Sequence, residues 1–350
     1  MKITLFDQIT NFSNIRLAYN KTRAGKFRLR KGAIEFQKNE TMNLHLLQDS
    51  LLDGSYIPVG YTKFYVLEPK RRLIYAPEYS DKIVQHAINN VLLDYFSPRF
   101  IYDSYACLKY KGNERAVLRI QQFLNESKKK YKKSKPYIVK IDIKKFFYTI
   151  NRDILKSLLI NFLDCKNTIN LLFKIVDSSP NEKGLPLGNL SSQLLANFYL
   201  NQLDQFCKHT LRIKYYVRYA DDILIIAKDK EEANYFLNKV KVYLKEILDL
   251  DTHETKTKIL PIHLGAESLG FKIYPDHILI NRQNKNRIKK NIRLLKKRLD
   301  KGTINKRQMN QSLNAISDFI KIANSYSYKL NLTKLFPYLS INKKEILEIT

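Results

Sequence analysis

Two apolar stretches, Tyr215-Tyr216-Val217 and Ile223-Leu224-Ile225-Ile226, flank a pair of adjacent acids, Asp221 and Asp222, and no other feature restricts the fold as much. Apolar runs of this length, rich in β-branched and aromatic residues, form buried strands, and two of them separated by a few polar residues must fold back on each other. The expectation is a hairpin over Lys214 to Ala227 with carboxylates at its tip. Turn chemistry explains one Asp, because Asp is common in turns, but two acids set so tightly between buried segments imply a use for their charge. A second apolar strand, Tyr137 to Ile143, carries Asp142 near its end. A charge there costs several kcal/mol unless a cation or another partner compensates it. An N-cap is the other use of an Asp at that point.

The remaining segments alternate helix and strand. Leu44, Leu47, Leu51 and Leu52 give a helical stripe that stops at Asp53-Gly54, a turn signal. Tyr61 to Leu67 and Arg72 to Ala76 read as paired strands around Glu68-Pro69-Lys70-Arg71, and Asp81 stands at the N-cap position of a helix through Ile83, Ala87, Val91 and Tyr95. The lysine-rich run at 126–135 reads as a solvated loop. Leu195, Tyr199, Leu203 and Phe206 mark another helix, as do Ala233, Phe236, Leu237, Val240, Leu244 and Ile247. Strand, helix, hairpin, helix is the order of an α+β domain with an antiparallel sheet covered on one face. The divisions suggested are 1–136, 137–280 with an insertion near 150–185, and a basic helical segment at 281–350.

Charge narrows the partner. Sixty-two Lys and Arg against 33 Asp and Glu leave a formal charge of +29, which points to a polyanion. No apolar run approaches the length of a membrane span, so nucleic acid is preferred to a membrane surface. The crowd of cations at Arg287, Lys289, Lys290, Arg293, Lys296, Lys297 and Arg298 would repel itself unless a polyanion relieved it. The first residues, Met1 to Asp7, hold too short an apolar stretch for a signal peptide, so the expected location is cytoplasmic. Cys107, Cys165 and Cys207 are odd in number and scattered, which suggests neither a disulfide framework nor a zinc site. His86, His209 and His263 receive no catalytic role.

Carboxylates from neighbouring strands can hold two Mg²⁺ ions that activate a hydroxyl, bind a triphosphate and stabilise leaving pyrophosphate. Asp142 and Asp221 would bridge such a pair, with Asp222 supporting. In order along the chain stand Asp142-Ile143 with Phe146-Phe147, then Gly184-Leu185-Pro186-Leu187-Gly188 running into Ser191-Ser192-Gln193, then Tyr219-Ala220-Asp221-Asp222. These resemble the palm motifs of reverse transcriptases, and the likeness runs from about Ile15 to Ile280. It implies a right-hand polymerase with fingers in 1–136, an antiparallel-sheet palm in 137–280 and a helical thumb in 281–350. It implies RNA-directed DNA synthesis from dNTPs on a template RNA and a primer, with no membrane partner, two Mg²⁺ ions and Mn²⁺ able to substitute. The metals would lie on Asp142, Ile143, Asp221 and Asp222. The nucleotide would lie on Lys70, Arg72, Phe146, Phe147, Leu187, Gly188, Gln193 and Lys256, with Phe147 excluding a ribose 2′-hydroxyl. Template and primer, which becomes the growing cDNA, would lie on Gly184, Pro186, Tyr219, Leu269-Gly270-Phe271, Arg287, Lys290 and Arg293.

Within that family the segment Gly184 to Gln193, with an apolar Leu187 and a Ser-Gln ending, is similar to the enzymes of diversity-generating retroelements. Asp103-Ser104-Tyr105-Ala106-Cys107 with Lys111-Gly112 adds to the likeness. It implies error-prone copying and a small basic accessory protein or a structured non-coding RNA as partner. Asn113-Glu114, Tyr148-Thr149, Lys82 and Gln85 depart from that group, so a defence-associated reverse transcriptase acting against phage is the alternative. The expectation from the residues that follow the basic helices is that no RNase H, protease or HNH endonuclease domain is among the 350.

Overall fold

A computed structural model describes residues 3–24, 30–67 and 71–335, and Lys70 therefore lies outside the described residues. The helices are α1 (Leu5–Thr10), α2 (Phe12–Thr22), α3 (Lys31–Lys38), α4 (Glu40–Leu52), α5 (Tyr79–Phe96), α6 (Asn113–Lys130), α7 (Phe146–Thr149), α8 (Arg152–Phe162), α9 (Lys166–Asp177), α10 (Leu190–Gln205), α11 (Lys230–Glu246), α12 (Arg282–Asp300), α13 (Lys306–Lys321) and α14 (Tyr326–Leu335). The strands are β1 (Tyr61–Val66), β2 (Arg72–Pro77), β3 (Tyr137–Asp142), β4 (Tyr215–Tyr219), β5 (Asp222–Ala227), β6 (Lys258–Pro261), β7 (Ala266–Ser268), β8 (Phe271–Ile273) and β9 (Ile278–Ile280). This mixed α+β chain divides into two compact units, residues 1–110, 142–214 and 238–254 in one, and 111–141, 215–237 and 255–350 in the other. Among the described residues no helix is long and apolar enough to cross a membrane.

The first unit is built around α5, whose buried face presents Ile83, Val84, Ala87, Ile88, Leu92 and Phe96. Phe96 stacks on Phe198 of α10 with ring centroids 4.8 Å apart. Sequence spacing gives α10 a single apolar stripe, yet Leu194, Leu195, Ala196, Asn197, Phe198, Tyr199 and Leu200 are buried in succession. Two of its buried polar side chains find partners, Asn197 donating to the Ala106 carbonyl at 2.8 Å and Tyr199 to that of Leu248 at 2.6 Å, which helps it to sit within the core.

Asp81 does not cap α5. Glu78 occupies that position, and Asp81 is buried in the first turn, where its carboxylate accepts from the Tyr56 hydroxyl at 2.9 Å and from the amides of Val59 and Gly60 at 2.9 and 3.1 Å. The acid fixes the approach to β1 instead. Burial raises its pKa, against the lowering effect of these three bonds.

On the same helix, burial and the cations of Lys82 and Lys21 push His86 down from 6.5 to about 4. The unfolded chain therefore takes up a proton near pH 6.5 that the folded chain refuses until about 4, so stability is full above pH 6.5 and falls as pH drops through that window. Denaturant midpoints measured from pH 7 to 4 should decline more steeply for the wild type than for His86→Asn. Parallel curves would remove the assignment.

The second unit carries the strand order β4-β5-β3-β6, with β4–β5 and β3–β6 antiparallel. Successive strand residues face opposite sides, and Tyr215, Tyr216, Val217 and Arg218 are all buried, as are Ile223 to Ala227. The β4–β5 hairpin is thus covered on both faces, not one. On one side α6 packs with an i, i+3, i+4, i+7 stripe of Ala116, Val117, Ile120, Phe123, Leu124 and Ser127, Phe123 meeting the Tyr215 ring at 5.2 Å.

That stripe also corrects the reading of the lysine run. Its first five residues, 126–130, are the end of α6, and Ser127 is fully buried. Lysine is a good helix former, and Lys128, Lys129 and Lys130 in the last turn complement the negative end of the helix dipole.

A separate antiparallel sheet, β7-β8-β9, has a two-residue loop in which Leu269 and Gly270 have φ of 53° and 91°, the two positive angles of a tight hairpin. Asn281 caps α12 by accepting from the Asn284 amide, and Asn284 in turn donates its side chain to the Gly270 carbonyl at 3.0 Å. Phe271 stacks on Phe319 of α13 at 4.5 Å, so the hairpin rests on the helices that follow it. In α12 the face carrying Asn284, Ile288 and Ile292 is buried, whereas Arg287, Lys290 and Arg293 are exposed.

Candidate active site

The chemistry of the acids begins with where strands end. β3 terminates on Asp142, β5 begins on Asp222, and β3 and β5 are hydrogen-bonded neighbours in the sheet. The loop between β4 and β5 is Ala220-Asp221, closed by the Tyr219–Asp222 pair. Ala220 has φ 52°, a left-handed conformation costly for any residue with a Cβ. Arg218 helps to hold it, since this fully buried side chain turns back to donate to the Ala220 carbonyl at 3.2 Å.

Asp222 accepts from the Ser268 hydroxyl at 2.9 Å, and Lys140 Nζ approaches its other oxygen at 3.8 Å. Lys140 is on β3 two residues before Asp142, so the strand period puts both on one face. Past Asp142 the chain runs against 251–253: His253 donates its amide to the Asp142 carbonyl at 2.7 Å, and Ile143 bridges Thr252. Among the described residues, no three His, Cys, Asp or Glu side chains stand close enough together to hold a metal ion. The donor set is nonetheless all oxygen, on half-exposed carboxylates at strand ends, and that chemistry fits a hard cation such as Mg²⁺.

In the first unit three segments far apart in sequence meet. The Tyr75 amide of β2 donates to the Leu187 carbonyl at 2.7 Å, and the Leu185 amide donates to the Phe147 carbonyl at 2.7 Å. Gly184 and Gly188 make these approaches possible. A Cβ on Gly184 would fall 2.4 Å from the Phe147 carbonyl, and one on Gly188 2.5 Å from that of Tyr75. Arg152 braces the loop by donating to the Gly184 carbonyl at 2.9 Å and to that of Asn181, whose side chain accepts from the Tyr75 hydroxyl at 2.8 Å. Arg72, exposed at the start of β2, lies close enough to Tyr148 for its charge to lower the phenol pKa, although burial raises it overall. Phe146 is buried and Phe147 half-buried, their rings 5.4 Å apart.

Of the residues singled out in the sequence, Arg72, Phe146, Phe147, Gly184, Pro186, Leu187 and Gly188 thus share one patch. Gln193 is exposed on the first turn of α10, where it accepts from Cys107 at 3.3 Å. Tyr219, Asp222, Leu269, Gly270 and Phe271 are joined through Ser268, and Lys256 is half-buried in the turn before β6. Asn181, Arg152, Tyr75, Lys140 and Ser268 were missed. Lys140 left a trace in the two-residue spacing to Asp142; the others are joined to their partners across dozens of residues and leave none.

Residues 67–273 match the family model described as reverse transcriptase (RNA-dependent DNA polymerase). The chain is 23% identical over 298 residues to the group II intron-encoded protein LtrA of Lactococcus lactis subsp. cremoris, covering 64% of this chain and 48% of that one. It is 29% identical over 297 residues to the retron Ec73 reverse transcriptase of Escherichia coli, covering 79% and 84%. A solved telomerase from Candida albicans aligns with a TM-score of 0.49 at 13% identity, over 65% of this chain and 46% of that one. The chain thus spans about half the length of LtrA and most of the retron enzyme.

Proposed function

The chain belongs to the reverse transcriptase (RNA-dependent DNA polymerase) family, of the group II intron and retron type, and on that premise we propose that it is an RNA-directed DNA polymerase that extends a primer with dNTPs along a template RNA. What supports the reading most directly is the Tyr75–Leu187 backbone bond, which ties the Arg72 strand to the glycine loop resting on Phe147. Asp142, Ile143 and Asp221 would hold two Mg²⁺ ions, or Mn²⁺ in their place, with Asp222 supporting. Bound there, such ions would supply positive charge that offsets the triphosphate and lowers the pKa of the primer 3′-hydroxyl. Arg72 binds phosphate oxygens through its planar fork, and Lys70 and Lys256 contribute as point charges. Phe146 backs Phe147 beneath the sugar, and Leu187, Gly188, Pro186 and Gly184 form the floor under the nascent pair, with Gln193 at its margin. The primer end lies on Leu269-Gly270-Phe271. The duplex lies along α12, where Arg287, Lys290 and Arg293 are spaced three residues apart on one side. Fingers, palm and thumb are then 1–136 with 150–185, the rest of 137–280, and 281–350.

Phe147 is the sharpest test. Phe147→Ala should leave dNTP addition measurable and lower discrimination against ribonucleotides by roughly 10-fold or more, the scale of removing a steric wall from a pocket. Unchanged selectivity in primer extension would remove Phe147 from this role, and equal use of both nucleotides by the wild type would favour an RNA polymerase.

The narrower proposal is an error-prone retroelement enzyme, supported by Leu187, which offers the nascent pair no hydrogen bond. Leu187→Gln should reduce misincorporation opposite adenine. The second reading, antiviral defence in a cytoplasmic setting, is supported by the departures at Asn113-Glu114, Tyr148-Thr149, Lys82 and Gln85. Purifying the chain with its bound RNA and sequencing both that RNA and its cDNA separates them: adenine-biased errors against a repeat sequence support diversification, and an untemplated or repetitive product supports defence. The same purification identifies a structured RNA or a small basic accessory protein.

A further inference from the structure

The two adjacent acids are not held alike. Asp221 stands in the turn, whereas Asp222, the first residue of β5, is engaged from two other strands. Ser268, buried at the end of β7, donates its hydroxyl to one carboxylate oxygen at 2.9 Å. Lys140 on β3 brings its ammonium within 3.8 Å of the other oxygen and also donates to the Glu267 carbonyl on β7. Both side chains of the ion pair are about four-fifths buried, at 23% and 20% exposure, so solvent screens the contact weakly. Ser268 is paired with Phe271 across the tight turn that Leu269 and Gly270 form. The Gly270 carbonyl is itself held by the amide of Asn281 and the side chain of Asn284. The turn cannot move far without pulling Ser268.

We infer that Lys140 and Ser268 are positioning residues that lock Asp222 to the Leu269-Gly270-Phe271 hairpin, so that the seating of a nucleic-acid end on that hairpin is transmitted to the acid pair. The inference rests on the polymerase reading for its catalytic consequence and on geometry alone for its structural one. Asp222 acts as a strut: one carboxylate oxygen is held by the Ser268 hydroxyl, with the Lys140 ammonium 3.8 Å from the other, and this fixes the placement of Asp221, one peptide away. Lys140 is two residues from Asp142 on the same strand face, so one ammonium steadies the ends of both acid-bearing strands.

Two measurements test this. In a metal-free buffer with EDTA, thermal midpoints of the wild type, Ser268→Ala, Asp222→Asn and the double variant form a cycle. Ser268→Ala should lower the midpoint in the wild-type background and hardly at all once Asp222 is replaced, whereas additive shifts would show that the two side chains do not cooperate. In single-nucleotide primer extension, Ser268→Ala and Lys140→Met should each lower kcat by roughly 10-fold or more, the usual scale for residues that orient ligand-bearing groups, with the KM for dNTP within about twofold. An unchanged kcat, or a loss confined to the KM for dNTP, would overturn the positioning role. If the wild type adds no nucleotide at all, the polymerase reading fails, and the stability cycle still decides the strut.

Discussion

Asp221→Asn is expected to reduce Mg²⁺-dependent dNTP incorporation by at least about 10³-fold, equivalent to roughly 4 kcal/mol of lost transition-state stabilisation. The change is isosteric, so what it removes is charge. Asp221 is half-exposed in the β4–β5 turn, and the Ala220 conformation that presents it is braced by Arg218 and by the Tyr219–Asp222 pair. The primer–template Kd should stay close to wild type while catalysis falls. Asp142→Asn should behave in the same way, because its backbone contacts to 253 and the burial of the strand before it are independent of its side chain. Activity above a tenth of wild type in Asp221→Asn, in a buffer freed of Mn²⁺, would mean that the carboxylate holds no ion in the reaction.

Gly188→Ala is expected to cost at least about 3 kcal/mol, through strain and displacement together. At φ 120° a side chain is already disfavoured, and the new Cβ would lie 2.5 Å from the Tyr75 carbonyl oxygen and 2.9 Å from Ile74 Cγ2. The loop cannot retreat, because the Tyr75 amide is bonded to the Leu187 carbonyl one residue earlier. Either the bond breaks and β2 shifts, carrying Arg72 with it, or the fold loosens. The expected result is a lower thermal midpoint together with a raised KM for dNTP. Gly54→Ala separates strain from collision: its φ is 75°, but nothing lies within 4 Å of the added methyl, so only the backbone cost of about 1 kcal/mol remains. Equal effects at the two glycines would show that the β2–loop contact carries no weight.

Much of the site was legible because it is written locally. Apolar runs bounded by acids announced the β4–β5 hairpin, and the runs Tyr61 to Leu67 and Arg72 to Ala76 announced β1 and β2 to within a residue at each end; the expected turn at Glu68-Pro69-Lys70 lies outside the described residues. Other elements were hidden by their surroundings. Asp81 has the residue type of a cap, but three donors from 56–60 drew its carboxylate inward. The lysine run looked like a loop because its charge masked the helical stripe ending at Ser127. The single stripe on α10 understated a helix that is buried all round.

The sequence by itself determined the backbone alternation, the turn between the β4 and β5 runs, the positions of the acids and the excess of positive charge, since each depends on residues within about ten of one another. Only the tertiary structure decided that Tyr75 meets Leu187, that Arg152 holds the Gly184 loop, and that Ser268 and Lys140 share Asp222. Those pairings join residues tens to more than a hundred positions apart. Their partners are selected by which surfaces pack together and by the need of every buried polar group for a partner, and neither condition is visible in a local window.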